Sequence, residues 1–201
     1  MAPIKLLLAS SNLGKLKEFR ALASATGSSI EIDLIPGFDS IPQFEENSPT
    51  FGENAAGKAL YYSKHSAEPV FSDDSGLVVP ALDGRPGVLS ARYAGPNATS
   101  AERNAKLLDE LRGKSGSDRA AYFVCTIALA RQGHALAIVS DRVDGTILES
   151  PRGTGGFGYD PVFYFPPMQC SFAELTPDQK NAHSHRGKAF LRLLSVIASV
   201  L

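Results

Sequence analysis

Short apolar runs alternate along the chain with segments that carry helix-start signals, and this alternation limits the fold more than any other feature. The first such unit opens with an apolar run of strand length at 4–9, followed by the small polar residues of 10–12. Apolar residues then recur at every third position, at Leu13, Leu16, Phe19 and Leu22. This pattern predicts a strand, a turn and a capped helix in that order.

The same signals recur to the end of the chain. Strands are predicted at five further places, 30–35, 69–72, 120–130, 135–139 and 162–165. The turn at 132–133 joins two of them in a hairpin. Capping patterns predict four more helices, which follow Thr50, Thr99, Thr176 and Ser184. Strands that alternate with helices, together with a hairpin, predict an α/β fold with a mixed central sheet.

The chain shows no internal repeat and no long linker. Its 201 residues are therefore taken as a single domain, 1–201, in which the Gly- and Pro-rich stretch 83–97 is expected to separate two lobes. Lysine and arginine number 20, against 21 aspartates and glutamates. This balance offers no bulk attraction to a nucleic acid polymer or an anionic membrane, so any phosphate must be held by a local cluster.

The cysteine content and the apolar runs bear on the cellular compartment. Cys125 and Cys170 are too few for a disulfide framework. No run approaches the roughly 18 apolar residues of a membrane helix, and the first run is too short for a signal-peptide core. We therefore expect a cytoplasmic protein.

The first segment with a chemical pattern is the turn between the first strand and the first helix. Free backbone N–H groups and the positive end of the helix dipole favour an anion there, and Lys15 adds a full charge about one turn into the helix. The turn lacks the second glycine and the Ser or Thr of a Walker loop. An ordinary capped helix with a solvated lysine is the alternative.

Two acidic pairs form the second pattern, Glu45-Glu46 and Asp73-Asp74. The aspartates are predicted to lie in a polar turn, 73–76, where one of them can face a cleft. Like charges held together favour a bound cation, and oxygen ligands favour Mg²⁺. A polar turn with an aspartate cap is the alternative.

The third pattern is the glycine-rich stretch 153–160, which matches G-x-G-x-x-G in form. A dinucleotide site requires a helix after this motif, but 160–163 is predicted to be extended, so that interpretation is rejected. The glycines instead predict a flexible loop that exposes Phe157 and Tyr159 as a platform on which a base can stack. The alternative is a tight surface turn with both aromatics folded into the core.

Basic donors cluster before and at the start of the last helix. Lys180, His185 and Arg186 suit a phosphate or a base carbonyl, and a solvated helix entry is the alternative. Taken together, a phosphate-binding turn, paired carboxylates, an aromatic glycine loop and basic donors predict a nucleoside triphosphate site.

Ordered motifs over nearly the whole chain resemble the inosine/xanthosine triphosphate pyrophosphatase family, the Ham1-like nucleotidases. The main motifs are Ser11-Asn12-Leu13-Gly14-Lys15, Glu53-Asn54-Ala55, Ser72-Asp73-Asp74-Ser75-Gly76, Ser90-Ala91-Arg92-Tyr93-Ala94-Gly95, 153–160 and Ser184-His185-Arg186-Gly187. The resemblance implies an ITPase-like fold, with helices flanking the sheet and two lobes with an active-site cleft between them. It also implies a homodimer, and Mg²⁺-dependent hydrolysis of ITP, dITP, XTP and dXTP to the monophosphate and pyrophosphate.

The resemblance further implies roles for individual residues. Asp74 would be the base for the attacking water, Lys15 would neutralise the leaving pyrophosphate, and Glu45 and Asp74 would hold Mg²⁺, with Glu18 and Asp73 in support. Phe157 would stack on the purine, with donors near the base. The implied substrate contacts are Ser10, Ser11, Asn12, Leu13, Gly14, Lys15, Ser75, Phe157, Gly158, Tyr159, Asp160, Lys180, His185 and Arg186.

Two other functions stay open. One is a Maf-like pyrophosphatase that acts on pyrimidine or modified nucleotides, against which the motifs at 157–160 and 184–187 argue. The other is a nucleotide-binding module without hydrolysis, against which the joint presence of Lys15, Glu45 and Asp74 argues.

Overall fold

A computed structural model describes residues 3–201 of the chain, which form strands and helices in alternation. The strands are β1 (Ile4–Leu8), β2 (Ile30–Leu34), β3 (Val70–Val78), β4 (Ala120–Arg131), β5 (His134–Ile147), β6 (Phe163–Phe165) and β7 (Cys170–Ser171). The α-helices are α1 (Leu13–Ala25), α2 (Phe51–Ser63), α3 (Ser100–Glu110), α4 (Pro177–His183) and α5 (His185–Val200). None of these helices is both long and apolar enough to cross a membrane.

The strands form one mixed sheet in the order β2-β1-β3-β4-β5-β6-β7. β1 pairs in parallel with β2 and β3, whereas β6 pairs antiparallel with β5 and β7. Gln132 and Gly133, both with positive φ, form the two-residue turn between β4 and β5, as such a hairpin requires. The predicted α/β class and mixed sheet are therefore confirmed.

The third strand runs through residues that were predicted to form a turn. β3 continues across Asp73, Asp74, Ser75 and Gly76, so the prediction of a turn at 73–76 is wrong. The physical reason is that partners distant in sequence satisfy the polar groups of this strand. Ser72, for example, is fully buried and donates its hydroxyl to the Ala55 carbonyl at 2.6 Å.

The chain divides into two compact units, at places other than the predicted one. Unit 1 contains the residues up to Asp74, with Cys125–Asp141 and Arg186–Leu201, and unit 2 contains Ser75–Val124 and Arg142–His185. The stretch 83–97 lies wholly inside unit 2, so it is not a boundary. β3, β4 and β5 each contain residues of both units.

Each unit has an apolar core of its own. The core of unit 1 includes Leu6, Leu8, Phe19, Phe71 and Phe190. The core of unit 2 includes Leu77, Leu107, Phe123, Phe163 and Phe172. The helices α1 and α5 contribute to the first core, and α3 contributes to the second. Packing against a core keeps each helix, and the polar residues on it, in a fixed position.

Candidate active site

Adjacent carboxylates in β3 organise a buried polar cluster in unit 1. Because successive residues of a strand point to opposite faces, Asp73 and Asp74 have different partners. Asp73 Oδ1 accepts from Lys15 Nζ at 2.8 Å, and Asp73 Oδ2 lies 3.4 Å from Arg186 Nη2. Arg186 Nη1 in turn donates to Glu18 Oε2 at 2.7 Å. The first carboxylate of the pair is thus held between two cations.

This arrangement keeps Asp73 ionised. Burial alone would raise the pKa of Asp73, but the positive charges of Lys15, Arg186 and Lys58 outweigh that effect and hold its pKa well below the ordinary value. A carboxylate with so low a pKa is a poor base. Asp73 therefore serves to fix the cations, and it is unsuited to taking a proton from water.

Asp74 has the opposite electrostatic environment. Burial, together with the nearby carboxylate of Glu46, raises the pKa of Asp74 to about 6, although a hydrogen bond from Asn54 and the charge of Lys58 act to lower it. That hydrogen bond joins Asn54 Nδ2 to Asp74 Oδ2 at 3.0 Å. A carboxylate with this pKa is ionised at neutral pH and still basic enough to take a proton from water.

Lys58 of α2 joins the aspartate pair to a third carboxylate. Its Nζ donates to Glu46 Oε1 at 2.7 Å and to the Asp73 carbonyl at 2.9 Å. Burial would lower the pKa of Lys58, but the acidic side chains around it raise its pKa above the ordinary value. The cluster contains three cations, Lys15, Lys58 and Arg186, and four carboxylates, Glu18, Glu46, Asp73 and Asp74. Its excess of negative charge would favour a bound cation.

The donor set for a metal ion is small. Within residues 3–201, no group of three or more His, Cys, Asp or Glu side chains is arranged to hold a metal ion. Glu45, the predicted partner of Asp74, is exposed and accepts a hydrogen bond from Asn47, whereas the charge of its neighbour Glu46 acts on Asp74. One or two carboxylates are the usual protein contribution to a Mg²⁺ site that substrate phosphates complete.

The turn before α1 uses its backbone N–H groups differently from the prediction. Asn12 caps the helix, and its Oδ1 accepts from the N–H groups of Gly14 at 2.9 Å and Lys15 at 3.2 Å. Ser10 Oγ accepts from the N–H of Asn12 at 3.1 Å. These N–H groups are therefore not free, because side chains of the turn already satisfy them. The two other predicted contacts in the turn are exposed, Ser11 and Leu13.

In unit 2, one buried carboxylate orders the aromatic loop, residues 153–160. Asp160 Oδ2 accepts from Lys180 Nζ at 2.5 Å and from the backbone N–H of Phe157 at 2.6 Å. Lys180 Nζ also lies 4.3 Å from the centroid of the Phe157 ring. The Phe157 side chain is 53% exposed, as a stacking platform requires. Two further predicted contacts are half-buried, Gly158 in this loop and Ser75 in β3.

Three residues predicted to lie near the base are buried. Tyr159 is 4% exposed and donates its hydroxyl to the Ser90 carbonyl at 2.9 Å, so the prediction of an exposed Tyr159 is wrong. His185 stacks on Phe123 with the ring centroids 4.7 Å apart. Arg186 lies among the carboxylates of unit 1, where it pairs with Glu18 and Asp73.

Known proteins resemble the chain over almost all of its length. The sequence profile of the Ham1 family matches residues 6–196. The chain belongs to the Ham1 family. Over 189 residues it is 48% identical to the dITP/XTP pyrophosphatase of Geobacillus kaustophilus, an alignment that covers 94% of this chain and 92% of that protein. It is also 45% identical to the dITP/XTP pyrophosphatase of Coxiella burnetii over 197 residues, which is 96% of each chain.

Solved structures of Ham1 proteins have the same fold. A Ham1 protein from Coxiella burnetii superposes with a TM-score of 0.86 at 43% identity, covering 98% of this chain and 99% of that one. The Staphylococcus aureus Ham1 protein gives a TM-score of 0.85 at 35% identity, covering 97% and 98%. The seven-stranded mixed sheet is therefore the Ham1 fold.

Two polar residues of this Ham1 site were given no role from the sequence. Asn54 and Lys58 lie four residues apart on α2, and both are buried, as are Ala55 and Ala59 between and beside them. A lysine on the buried face of a helix is stable only where carboxylates pair with it. A pattern of polar residues at helical spacing among alanines could have indicated that Asn54 and Lys58 lie on the buried face of α2.

Proposed function

We propose that this Ham1 protein hydrolyses the non-canonical purine nucleoside triphosphates ITP, dITP, XTP and dXTP to the monophosphate and pyrophosphate, with Mg²⁺. The pyrophosphatase names of relatives 45% and 48% identical over more than nine tenths of the chain support this function. The structural observation that carries it is Asp74, a buried carboxylate with a pKa of about 6 next to a cluster of cations. Hydrolysis at phosphorus requires a base for water and positive charge for the phosphate oxygens.

In the proposed mechanism, Asp74 orients a water molecule and takes its proton as the water attacks the phosphorus next to the nucleoside. The hydrogen bond from Asn54 to Oδ2 fixes the direction of the carboxylate. The bond that breaks is the one to the outer two phosphates, which leave as pyrophosphate. Lys15 and Lys58 neutralise the charge that develops on this leaving group.

The excess carboxylates of unit 1 fit a divalent cation. Asp74 would hold Mg²⁺ together with Glu46 or the predicted ligand Glu45. When bound, the ion would neutralise phosphate oxygens and draw electrons from the reacting phosphorus.

The aromatic loop of unit 2 binds the purine in this proposal. Phe157 stacks on the base, and Lys180 lies against the same ring. Stacking tolerates any base, so discrimination depends on hydrogen bonds to the 6-oxo group. A site that donates to this oxygen disfavours adenine, whose amino group also donates, by about 1–3 kcal/mol per mismatch.

A substrate panel tests the proposal. Pyrophosphate release would be measured with ITP, dITP, XTP, GTP, ATP and UTP in Mg²⁺, with Asp74→Asn as the control for contaminating enzymes. We expect fast release from ITP, dITP and XTP and far slower release from ATP. Orthophosphate as the first product would contradict attack next to the nucleoside. Preference for UTP would favour the Maf-like alternative, and binding without product would favour the non-hydrolytic one.

The assembly and the location of the protein complete the proposal. The resemblance implies a homodimer, and the low cysteine content predicts a cytoplasmic protein. Light scattering of the purified chain tests the first, with a mass of twice 21.4 kDa expected. Fractionation of cells that produce the chain tests the second.

A further inference from the structure

Asn104 is a buried polar residue on a helix face that otherwise carries leucine. Asn104 and Leu107 of α3, with Leu111 directly after the helix, are spaced by three and four residues and so share one face. Asn104 is 5% exposed and both leucines are fully buried. An amide thus occupies a position where the core of unit 2 would accept an apolar side chain.

The side-chain amide of Asn104 has a partner for its Nδ2 but not for its Oδ1 among the described residues. Asn104 Nδ2 donates to the carbonyl of Gly158 at 3.2 Å. Its Oδ1 is buried and has no hydrogen-bond partner among residues 3–201. Because a buried acceptor without a partner lowers stability, the stability of the fold does not explain an asparagine here. The hydrogen bond that the side chain makes within residues 3–201 joins it to the aromatic loop.

That hydrogen bond reaches the loop next to its stacking residue. Gly158 follows Phe157, whose own N–H donates to Asp160 at 2.6 Å. Earlier in the loop, the N–H of Gly155 donates to the Ala173 carbonyl at 3.0 Å. Four glycines give the loop many accessible backbone conformations, so the direction of the Phe157 ring depends on these anchors. Asn104 and Asp160 hold the backbone on either side of it.

We propose that Asn104 is a positioning residue for Phe157, which holds the aromatic loop so that the ring is set for stacking before a nucleotide binds. It acts through the Gly158 carbonyl and does not touch the substrate. The inference rests on the proposed function, in which Phe157 stacks on the purine. A loop ordered in advance loses less entropy on binding, which would explain an amide at a buried position where its Oδ1 has no partner among residues 3–201.

Substitution of the amide separates positioning from packing. Asn104→Leu removes the hydrogen bond to Gly158 and the unpartnered Oδ1 together. We expect the KM for ITP to rise about tenfold, kcat to change by less than about twofold, and Tm to stay the same or rise. Asn104→Ala serves as a second variant if leucine does not fit. Leu107→Val is the matched control, because it loosens the same helix face and leaves the hydrogen bond from Asn104 to Gly158 in place, and its KM should not change.

A second measurement does not depend on catalysis. The chain has no tryptophan, so Phe157→Trp introduces a single fluorescent reporter into the loop. With Asn104→Leu added, we expect lower anisotropy and stronger acrylamide quenching of this indole, without any nucleotide present. Adding Leu107→Val instead should change neither signal.

Together, the two measurements distinguish failure of the positioning role from failure of the proposed function. Unchanged indole mobility in Asn104→Leu, or a rise in KM no larger than that of Leu107→Val, would overturn the positioning role. Failure of the unaltered protein to release pyrophosphate from ITP would contradict the proposed function. The mobility of the indole would still decide, in that case, whether Asn104 orders the loop.

Discussion

At the scale of single residues, Asp73 and Asp74 differ in their surroundings although they are neighbours in the chain. Lys15 and Arg186 lower the pKa of Asp73, while burial and Glu46 raise the pKa of Asp74 to about 6. The cations that make the difference come from α1 and α5, far away in the sequence. Of these two adjacent carboxylates, Asp73 can therefore stay ionised to pair with the cations, while Asp74 can accept a proton.

The raised pKa of Asp74 makes its ionised form destabilising. Its pKa is about 6 in the folded protein, against an ordinary value of 3.8, so folding favours the protonated form. The resulting stabilisation is complete below about pH 4 and is lost as the pH rises through 6. Asp74→Asn is uncharged throughout. With a metal chelator present, the unfolding free energy of Asp74→Asn should be higher than that of the wild type by up to about 3 kcal/mol at pH 8. The two proteins should not differ below about pH 4.

Denaturant unfolding at a series of pH values checks this expectation. Asp109→Asn, at an exposed surface position, is the control and should follow the wild type at every pH. A variant at position 74 that is less stable than the wild type at pH 8 would contradict the raised pKa.

The same substitution should abolish most of the activity. An amide cannot take a proton from water, so turnover of ITP by Asp74→Asn should fall by at least about 10²–10⁴-fold while the fold is retained. Initial rates of pyrophosphate release provide the measurement. Near-normal turnover in Mg²⁺ would exclude Asp74 as the base.

Loss of the neighbouring carboxylate should instead damage stability. Asp73→Asn removes the buried counter-charge of Lys15 and leaves Arg186 paired with Glu18. This loss should cost about 3–5 kcal/mol of unfolding free energy. Asp33→Asn breaks the half-exposed pair of Asp33 with Arg20 and should cost less than about 1 kcal/mol. Urea unfolding at pH 7 compares the two. Equal losses would mean that the buried network does not stabilise unit 1.

At the scale of elements, two glycines of the aromatic loop have different requirements. Gly156 and Gly158 both have positive φ, of 69° and 64°, so alanine at either position costs about 1–2 kcal/mol in backbone strain. A Cβ at Gly156 would also overlap the Asp160 carboxylate, whereas a Cβ at Gly158 would meet nothing within 4 Å. Gly156→Ala should therefore raise the KM for ITP about tenfold more than Gly158→Ala. Steady-state kinetics of both variants measures this difference. Equal KM values would show that Asp160 does not order the loop.

Elements with strong local signals could be predicted from the sequence. β1 and α1 follow from an apolar run and from the capping side chain of Asn12. The first part of β3 was predicted as the strand 69–72, but its continuation to Val78 could not be predicted, because Asp73 and its polar neighbours are typical of a turn. Contacts with residues distant in sequence, such as Lys15 and Arg186, make this buried polar strand stable. A local sequence pattern does not contain these contacts.

The candidate site shows the same limit. Residue types identified Phe157 and Lys180 as candidates, and both lie together in unit 2. The glycines around Tyr159 suggested exposure, yet packing and the Ser90 carbonyl hold its side chain in the core. The local sequence does not indicate the proposed role of Asn104, because its partner Gly158 lies about fifty residues further along the chain.

At the scale of the whole molecule, unit 1 depends on the last helix of the chain. Ala189, Phe190, Leu193 and Ile197 of α5 are buried in its core. Burial of a large apolar side chain stabilises by about 1.5–3 kcal/mol, so their combined loss is comparable with the stability of an entire domain. A chain that ends at His185 should lose the thermal transition of the wild type, while removal of the exposed Leu201 alone should leave Tm unchanged. A shorter chain that keeps the wild-type Tm would contradict this dependence.

The chain passes between the units at four points, after Asp74, Val124, Asp141 and His185. Neither unit is therefore encoded by one continuous stretch of its gene. Fusion or loss of a single gene segment could not add or remove either unit alone, so the two units must be inherited together. A single recombination crossover between the codons for residues 75 and 185 always combines two parental sequences within unit 1. Chimaeras of distant Ham1 genes should then fold poorly wherever the two parents place different charged residues around Asp73.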